Sequence, residues 1–340
     1  MTDAPHKPPA QRSKVRIKDV ALEAGVSVGT VSHYLNGRFV SEERSRRIRK
    51  AIDDLGFTSN LLARGMRRQS SSVIGLCVPF TIFSNFSQLV NALEERVSDA
   101  NYELMQVLSR QDPGKEFRRI RKLVDFRVDG LLLVPSLEPQ DMLDHLHKSG
   151  VPTVILNRLM PDEHRFDQVA LDHEKIMYEV AREFIRRGHR HLLFFVHWPA
   201  LIVTQLRIEG LRRAIRDSGE DVRFEVLACG AHEHQFDAQF GAALDAGPRP
   251  TGIILSNSRI AAWTLKSLRR RGIDYPASMS VLTLDNPDWA DVVVPGISHV
   301  AQPSDEISAR AWQLLSERIE GSAKPPQRIL VDAEIRYLDF

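Results

Sequence analysis

The residues with the clearest chemistry lie in the segment AGVSVGTVSHYLNG, Ala24 to Gly37. Several short or hydrogen-bonding residues would share the outward face of one helix there: Val28, Gly29, Thr30, Ser32, His33 and Asn36. Small side chains let a helix lie deep in the major groove of DNA, where donors and acceptors can meet base edges. The segment therefore predicts a DNA-recognition helix.

A tight turn must position this helix. Apolar residues upstream of it repeat at i, i+3, i+4 and i+7: Ile17, Val20, Ala21 and Ala24. This spacing predicts a helix with one buried face, which Gly25 can end in a left-handed conformation. Ser27 is the expected cap of the recognition helix, because its hydroxyl can accept the free N–H of Gly29 or Thr30. Val31 and Leu35 would then face inward.

A third helix follows the same rules. Ser41 is its expected cap, acidic residues favour its first turn, and Gly56 ends it. Its buried side would hold Ile48, Ile52 and Leu55. Any short three-helix unit could show this periodicity, but the turn glycine, the cap and the small outward residues together favour a helix-turn-helix head.

Basic residues are concentrated near the start of the chain. Residues 1–70 contain 14 Lys and Arg against 7 Asp and Glu, and the rest of the chain contains 32 against 37. The formal net charge of the whole chain is only +2. A basic end on a mildly acidic body is typical of a protein that meets phosphates with one end.

Length and composition indicate an ordinary globular protein of more than one domain, with 340 residues of which 43% are hydrophobic. Residues 1–14 are polar and lack the apolar core of a signal peptide, and no run of about eighteen apolar residues occurs. We therefore expect a cytoplasmic protein with no membrane contact. Cys77 and Cys229 each lie in an apolar run, so we expect buried, inert thiols and neither a disulfide framework nor a metal site.

Short apolar runs alternate with helix-period segments from Val73 onward. The runs are VIGLCVPF, ELMQVLS, GLLLVPS, PTVILN, HLLFFVH, GIILSN and MSVLTLDN. Continuous apolar strands separated by helices predict a parallel sheet covered on both faces, and their number exceeds one compact sheet. The expected fold is an all-α helix-turn-helix head followed by an α/β core of two doubly wound lobes. A ligand crevice is expected at the carboxyl ends of the strands.

The order of these parts resembles the LacI/GalR family of bacterial transcriptional regulators. The head pattern IKDVALEAGVSVGTVSHYLNG matches, and further pieces follow in the family's order: ARGMRRQSSSVIGL, VDGLLLVPS, RRGHRHLLFF, RIEGLRRAI, SVLTLDN, Pro295 and HVAQP. The resemblance covers nearly all of the chain from Val15. It implies a homodimeric repressor on a pseudo-palindromic operator, a core like that of a periplasmic sugar-binding protein, and a small-molecule effector, with no cofactor.

The resemblance also implies domain bounds. They are a tail over 1–14, a helix-turn-helix domain over 15–58, a hinge helix and linker over 59–72, and an effector-binding and dimerisation domain over 73–340. Within that last domain, the N-lobe would take about 73–170 and 302–332, and the C-lobe about 171–301 and 333–340. The chain ends without a leucine heptad, so no tetramer is expected.

Residues of the head and hinge take roles from the family. Those implied to meet bases and phosphates are Val28, Gly29, Thr30, Ser32, His33 and Asn36. His33 stands where the family often has arginine, so base reading should depend on His33, Thr30 and the backbone fit. Arg64 and Met66 match the hinge segment that enters the minor groove, with methionine replacing the usual leucine wedge. Met66 could instead pack between two hinge copies.

In the crevice, the resemblance places Asn85 and Phe86 at the end of the first strand's loop, with Phe86 as a ring-stacking aromatic. Arg207 and Asp285 match residues that the family uses for hydroxyl or carboxylate groups of the effector. An alternative is that these two residues pair across the crevice as a closed-state latch.

Two departures from the family affect the ligand. After the strand GIIL, sugar-binding members commonly carry an aspartate, whereas this chain has Ser256 followed by the candidate ligand residues Asn257 and Ser258. The loss of one negative charge, with Arg207 retained and Arg158 near the mouth, favours an anionic effector such as a sugar acid or sugar phosphate. His173 could line the crevice, although a surface histidine at a helix start is the favoured interpretation.

Other functions fit less well. A sugar-converting enzyme with an attached DNA-binding head is the alternative, but the chain has no GxGxxG after a strand, no GxxxxGK[ST] and no GxSxG. Paired histidines at 189 and 191, and at 232 and 234, lack the spacing of a catalytic zinc site. A transport protein would need an export signal and no head. Whether the effector releases DNA or promotes its binding stays open.

Overall fold

The structure, a computed structural model, describes residues 15–35, 38–57, 70–82, 84–137, 139–290 and 292–338. The chain divides into two compact units, Met1–Ser71 and Ser72–Phe340. Each unit has its own apolar core, and each is described by itself.

The described part of the first unit contains three helices: α1 (Ile17–Glu23), α2 (Val28–Leu35) and α3 (Glu42–Leu55). Their core contains the fully buried side chains of Val20, Val31 and Ile48. Gly25 and Gly56 both adopt the left-handed conformation, with φ of 63° and 60°, and so end α1 and α3. The predicted order of the helices and both glycine stops are confirmed.

The two serine caps of the head differ. The Ser27 hydroxyl accepts the Thr30 N–H at 3.1 Å, as predicted. Ser41 occupies the N-cap position of α3, but its side chain makes no capping hydrogen bond. The negative charges of Glu42 and Glu43 in the first turn of α3 stabilise that end of the helix through the helix dipole.

The described residues of the second unit form two six-stranded sheets. The strands of the first are β1 (Val73–Val78), β2 (Glu103–Leu108), β3 (Gly130–Leu133), β4 (Thr153–Leu156), β5 (Asp167–Leu171) and β11 (Arg328–Val331). Their order across the sheet is β11-β5-β4-β3-β1-β2, and all of the pairs are parallel. Its helices are α4 (Ser84–Asp99), α5 (Pro113–Asp125), α6 (Gln140–Ser149) and α11 (Ser304–Ile319).

The strands of the second sheet are β6 (His191–Val196), β7 (Arg223–Ala228), β8 (Gly252–Leu255), β9 (Ser280–Thr283), β10 (Ser298–Ala301) and β12 (Glu334–Arg336). Their order is β12-β10-β9-β8-β6-β7, and the sheet is parallel except for the edge pair β10 and β12. Its helices are α7 (His173–Arg186), α8 (Ile202–Ser218), α9 (Glu233–Asp245) and α10 (Ser258–Arg270). Two doubly wound lobes, as predicted, are confirmed.

The chain passes between the lobes three times. The crossings follow β5, β10 and β11, near residues 172, 302 and 332. The first crossing leads directly into α7, whose N-cap residue Asp172 donates its N–H to Val331 O at 3.3 Å and so ties the first crossing to the third.

Five strands were not predicted: β5, β7, β10, β11 and β12. β5 is buried along its whole length although it begins with Asp167 and Gln168. Asp167 accepts two hydrogen bonds from Arg318, and Gln168 bonds to backbone atoms of Met160 and Glu163. These partners satisfy polar groups that otherwise disfavour a buried strand.

Among the described helices, none is both long enough and apolar enough to cross a membrane.

Candidate functional sites

The outward face of α2 is the candidate DNA-recognition surface. Val28, Gly29 and His33 are exposed, and Thr30 and Ser32 are half-buried. On the opposite face, Val31 is fully buried. The predicted contacts Asn36, Arg64 and Met66 lie outside the described residues.

The cap of α2 also orients one predicted base-reading group. The hydroxyls of Ser27 and Thr30 lie 2.9 Å apart. Because Ser27 Oγ already accepts the Thr30 N–H, its own proton can be donated to Thr30 Oγ1. The Thr30 hydroxyl can then direct its proton outward as a donor to a base or phosphate acceptor.

A cleft of about 660 Å³, including the solvent at its mouth, lies between the two lobes. It is lined by Phe80, Asn85, Phe86, Gln111, Asn157, Arg158, His173, His197, Trp198, Leu201, Val203, Thr204, Arg207, Ser256, Asn257 and Gln302. Many of these residues directly follow a strand of one sheet or the other. Carboxyl ends of strands therefore face the cleft, which is the usual ligand position in open α/β sheets.

Four of the predicted effector residues line this cleft: Asn85, Phe86, Arg207 and Asn257. Ser258 and Asp285 do not; both are buried behind the wall of the C-terminal lobe. Asp285 accepts a hydrogen bond from Thr283 Oγ1 at 3.1 Å and further bonds from Ser258. Burial nevertheless raises the pKa of the Asp285 carboxyl.

The latch alternative for Arg207 and Asp285 is wrong. Arg207 lies on α8 and Asp285 follows β9, so both belong to the lobe of the second sheet and cannot bridge the crevice. Within the described part of the chain, no hydrogen bond or ion pair holds the Arg207 guanidinium. Asp285 acts on it only as a nearby opposite charge.

Arg158 provides the second cation of the cleft. It is only 5% exposed, and its Nη1 donates to Gln111 Oε1 at 3.0 Å and to the Pro135 carbonyl oxygen. Burial lowers the pKa of both Arg158 and Arg207 to about 10, and the charge of Arg207 contributes to the shift at Arg158. Both guanidiniums stay protonated at neutral pH. Buried Glu116, behind Arg158, balances part of that charge.

His173 was favoured as a surface residue, and this interpretation is wrong. It is the first residue of α7, lies at the first crossing between the lobes, and is only 6% exposed. Its Nε2 lies 3.3 Å from the carbonyl oxygen of Asn157. Burial, together with the charges of Arg207 and Arg158, holds the pKa of His173 well below its usual range.

Aromatic residues bring the lobes together at the cleft. Phe80, which follows β1, stacks on Trp198, which follows β6, with 5.5 Å between ring centroids and 18° between planes. The His197 ring lies beside Trp198, and its Nδ1 is hydrogen-bonded to Cys229 Sγ at 3.3 Å. Neither Phe80 nor Trp198 was among the predicted site residues, although both stand just past an apolar strand, which is the signal that marks such positions.

Both cysteines are buried, which raises the pKa of the Cys77 thiol strongly and that of Cys229 to about 12. Neither would form a reactive thiolate near neutral pH. Among the described residues, no group of three or more potential ligands could hold a metal ion.

Comparison with protein families and solved structures agrees with this architecture. Residues 16–60 match the family described as bacterial regulatory proteins, lacI family, and residues 181–337 match the periplasmic binding protein-like domain. The second match covers most of the C-terminal lobe and the returning segments of the N-terminal one.

Full-length relatives are regulators. The HTH-type transcriptional repressor PurR of Photobacterium profundum is 30% identical over 310 residues, which are 89% of this chain and 92% of the relative. The HTH-type transcriptional regulator KdgR of Bacillus subtilis is 27% identical over 94% of this chain and 95% of its own length. A structure of the lac repressor dimer bound to operator and the anti-inducer ONPF matches with a TM-score of 0.83 at 19% identity, over 96% of this chain and 99% of that one.

Proposed function

Because this chain belongs to the lacI family of bacterial regulatory proteins, we propose that it represses transcription as a homodimer controlled by an anionic, carbohydrate-derived effector. The chain is a DNA-binding regulator of transcription and not a sugar-converting enzyme, since its relatives over nearly its whole length are regulators. We also propose that the chain has the domain bounds expected from its sequence and that it is cytoplasmic.

The exposed face of α2 supports the operator contacts. Two heads of a homodimer would place two copies of this face on the half-sites of a pseudo-palindrome, with the paired hinges at its centre. His33 would contact a guanine edge or a phosphate, and the Thr30 hydroxyl would donate to a second acceptor. Arg64 and Met66 would act in the minor groove, the latter as an apolar wedge.

Selection on randomised operators tests these contacts. His33→Ala should relax base preference within each half-site, whereas His147→Ala, which removes an exposed histidine of the second unit, should leave it unchanged. Met66→Gly should weaken specific binding at the operator centre and leave weak nonspecific binding intact. Identical sequence preferences for His33→Ala and the parent would contradict the assignment of α2. Sedimentation of the free protein tests the dimer.

One observation supports the anionic effector above all. The described cleft lining contains two guanidiniums, Arg158 and Arg207, and no carboxylate. The charge of Arg207 disfavours that of Arg158, and an anion between the two would relieve this repulsion while gaining charge-assisted hydrogen bonds. A neutral sugar would add nothing to the partial compensation that Glu116 gives Arg158 and that Asp285 gives Arg207.

Thermal unfolding with added ligands tests the charge of the effector. Gluconate, glucuronate and 6-phosphogluconate should include compounds that raise the unfolding temperature, because a ligand at a hundred times its Kd stabilises by about 2.7 kcal/mol. Potassium chloride at matched ionic strength and neutral glucose are the controls. Arg207→Gln should abolish the shift. Stabilisation by neutral sugars alone would overturn the anionic effector, and operator mobility shifts with the active acid would show whether it releases DNA.

A further inference from the structure

His173 has a fixed hydrogen-bonding pattern. A carbonyl oxygen can only accept, so the contact of 3.3 Å with Asn157 O places the proton of a neutral imidazole on Nε2. Nδ1 then carries a lone pair. Within the described part of the chain no donor reaches Nδ1, and His173 lines the cleft.

The surroundings hold this ring in place. Asn157 directly follows β4 with φ of 56°, a left-handed conformation that fixes the direction of its backbone. On the other side, α7 and α8 approach so closely that a Cβ on Gly210 would lie 2.2 Å from the Glu174 carbonyl oxygen. Gly210 is one turn after Arg207, so this close packing also sets Arg207 beside the start of α7.

Donors and acceptors therefore alternate at this end of the cleft. Arg158 and Arg207 can only donate, whereas His173 Nδ1 can only accept while the ring is neutral. Asn157 Oδ1 is a second acceptor, buried and without a hydrogen-bond partner among the described residues. A bare anion would satisfy the two arginines and leave both acceptors unpaired. An acid with hydroxyl groups near its anionic group would satisfy all four.

We propose that His173 determines effector specificity, accepting a hydrogen bond from the hydroxyl on the carbon next to the carboxylate and so selecting a 2-hydroxy acid of the aldonic type. This inference rests on the proposed function, because it requires the anionic effector to bind in this cleft. The charged groups acting on the ring are Arg158 and Arg207, and both favour its neutral form. Neutral His173 would therefore bind a hydroxyl group of the effector and would not act as a third cation for its anionic group.

Matched acids test the proposal. Binding to the full chain is measured by calorimetry for gluconate, galactonate and gulonate, each against its 2-deoxy analogue, which lacks the hydroxyl next to the carboxylate, and for inorganic sulfate as a bare anion. At least one hydroxy acid should bind about tenfold or more tightly than its analogue, the effect of one buried hydrogen bond. His173→Phe should remove this preference, so that each hydroxy acid and its analogue bind this variant with equal affinity. His173→Gln, which can still donate to Asn157 and accept from a ligand, should restore part of it.

A measurement on the unchanged protein covers the case in which His173→Phe does not fold. Nitrogen NMR of the free protein should show His173 protonated at Nε2 and unprotonated at Nδ1, and the Nδ1 signal should move on binding the hydroxy acid but not its analogue. A ring protonated at Nδ1, or equal affinities for each acid and its analogue, would overturn the role of His173. Binding of neutral sugars alone would instead overturn the anionic effector itself.

Discussion

Replacing Gly210 by alanine should destabilise the second unit because two helix backbones meet at this position. The new Cβ would lie 2.2 Å from Glu174 O and 3.0 Å from Tyr178 N, whereas ordinary contact begins near 3.4 Å. The helices α7 and α8 would have to part by about 1 Å. Overpacking of this kind costs about 1–3 kcal/mol, with the upper end expected because neither backbone atom can swing away. Alanine regains about 1 kcal/mol of helix propensity, which leaves a net loss of about 2 kcal/mol.

Gly241 provides a matched control for this substitution. It also lies inside a helix, α9, but a Cβ there would meet the end of the Arg271 side chain at 2.7 Å and no backbone atom. The guanidinium can shift at the expense of its hydrogen bonds to Asp237, so Gly241→Ala should change stability by no more than about 1 kcal/mol in either direction.

Denaturant unfolding followed by tryptophan fluorescence measures both variants. All four tryptophans lie in the second unit, so the signal reports that unit alone. Gly210→Ala should lower the midpoint and also weaken binding of the anionic effector, since Arg207 and His173 depend on the same helix contact. Equal shifts of the same sign for the two variants would refute the reasoning.

Three further predictions concern protonation, capping and a buried ion pair. Burial lowers the pKa of His197 to about 4, so the folded state binds fewer protons than the unfolded state below pH 6.5. The free energy of unfolding should therefore fall by about 1.4 kcal/mol per pH unit from pH 6.5 toward 4. His197→Gln should flatten that slope in denaturant titrations. Ser27→Ala should destabilise the head by about 1 kcal/mol in amide hydrogen exchange, and Ser41→Ala, which loses no capping bond, should have a smaller effect. Asp167→Asn should cost about 3–5 kcal/mol in thermal unfolding because it leaves Arg318 partly buried without its counter-charge, and adding Arg318→Met should recover part of the loss.

Local rules were sufficient for the head. The positions of Gly25, Ser27 and Gly56 are determined by backbone conformation and capping, which depend on neighbours within a few residues. The apolar strands of the core were also recognisable, because a strand buried on both faces is a continuous apolar run. The strand β5 was not predicted, because its burial depends on contacts with residues far away in the sequence. β5 begins with Asp167, whose burial depends on Arg318, about 150 residues later in the chain.

The cleft shows the same limit. Asn85, Phe86, Arg207 and Asn257 were placed by resemblance and position after strands, and they do line the cleft. His173 looked like a surface residue at a helix start. Its burial depends on the approach of α8 and on the carbonyl of Asn157. Neither contact can be predicted from the residues next to His173 in the sequence.

The three passages between the lobes bear on how this protein can be cut or tagged. Neither lobe is one continuous stretch of sequence, so neither can be expressed by trimming the chain at a single point. The last strands, β11 and β12, complete one sheet each. A deletion from residue 328 onward would expose the edge of β5 in one lobe and of β10 in the other, and bare strand edges favour aggregation. Fusion partners are therefore better attached beyond the final residues than within them.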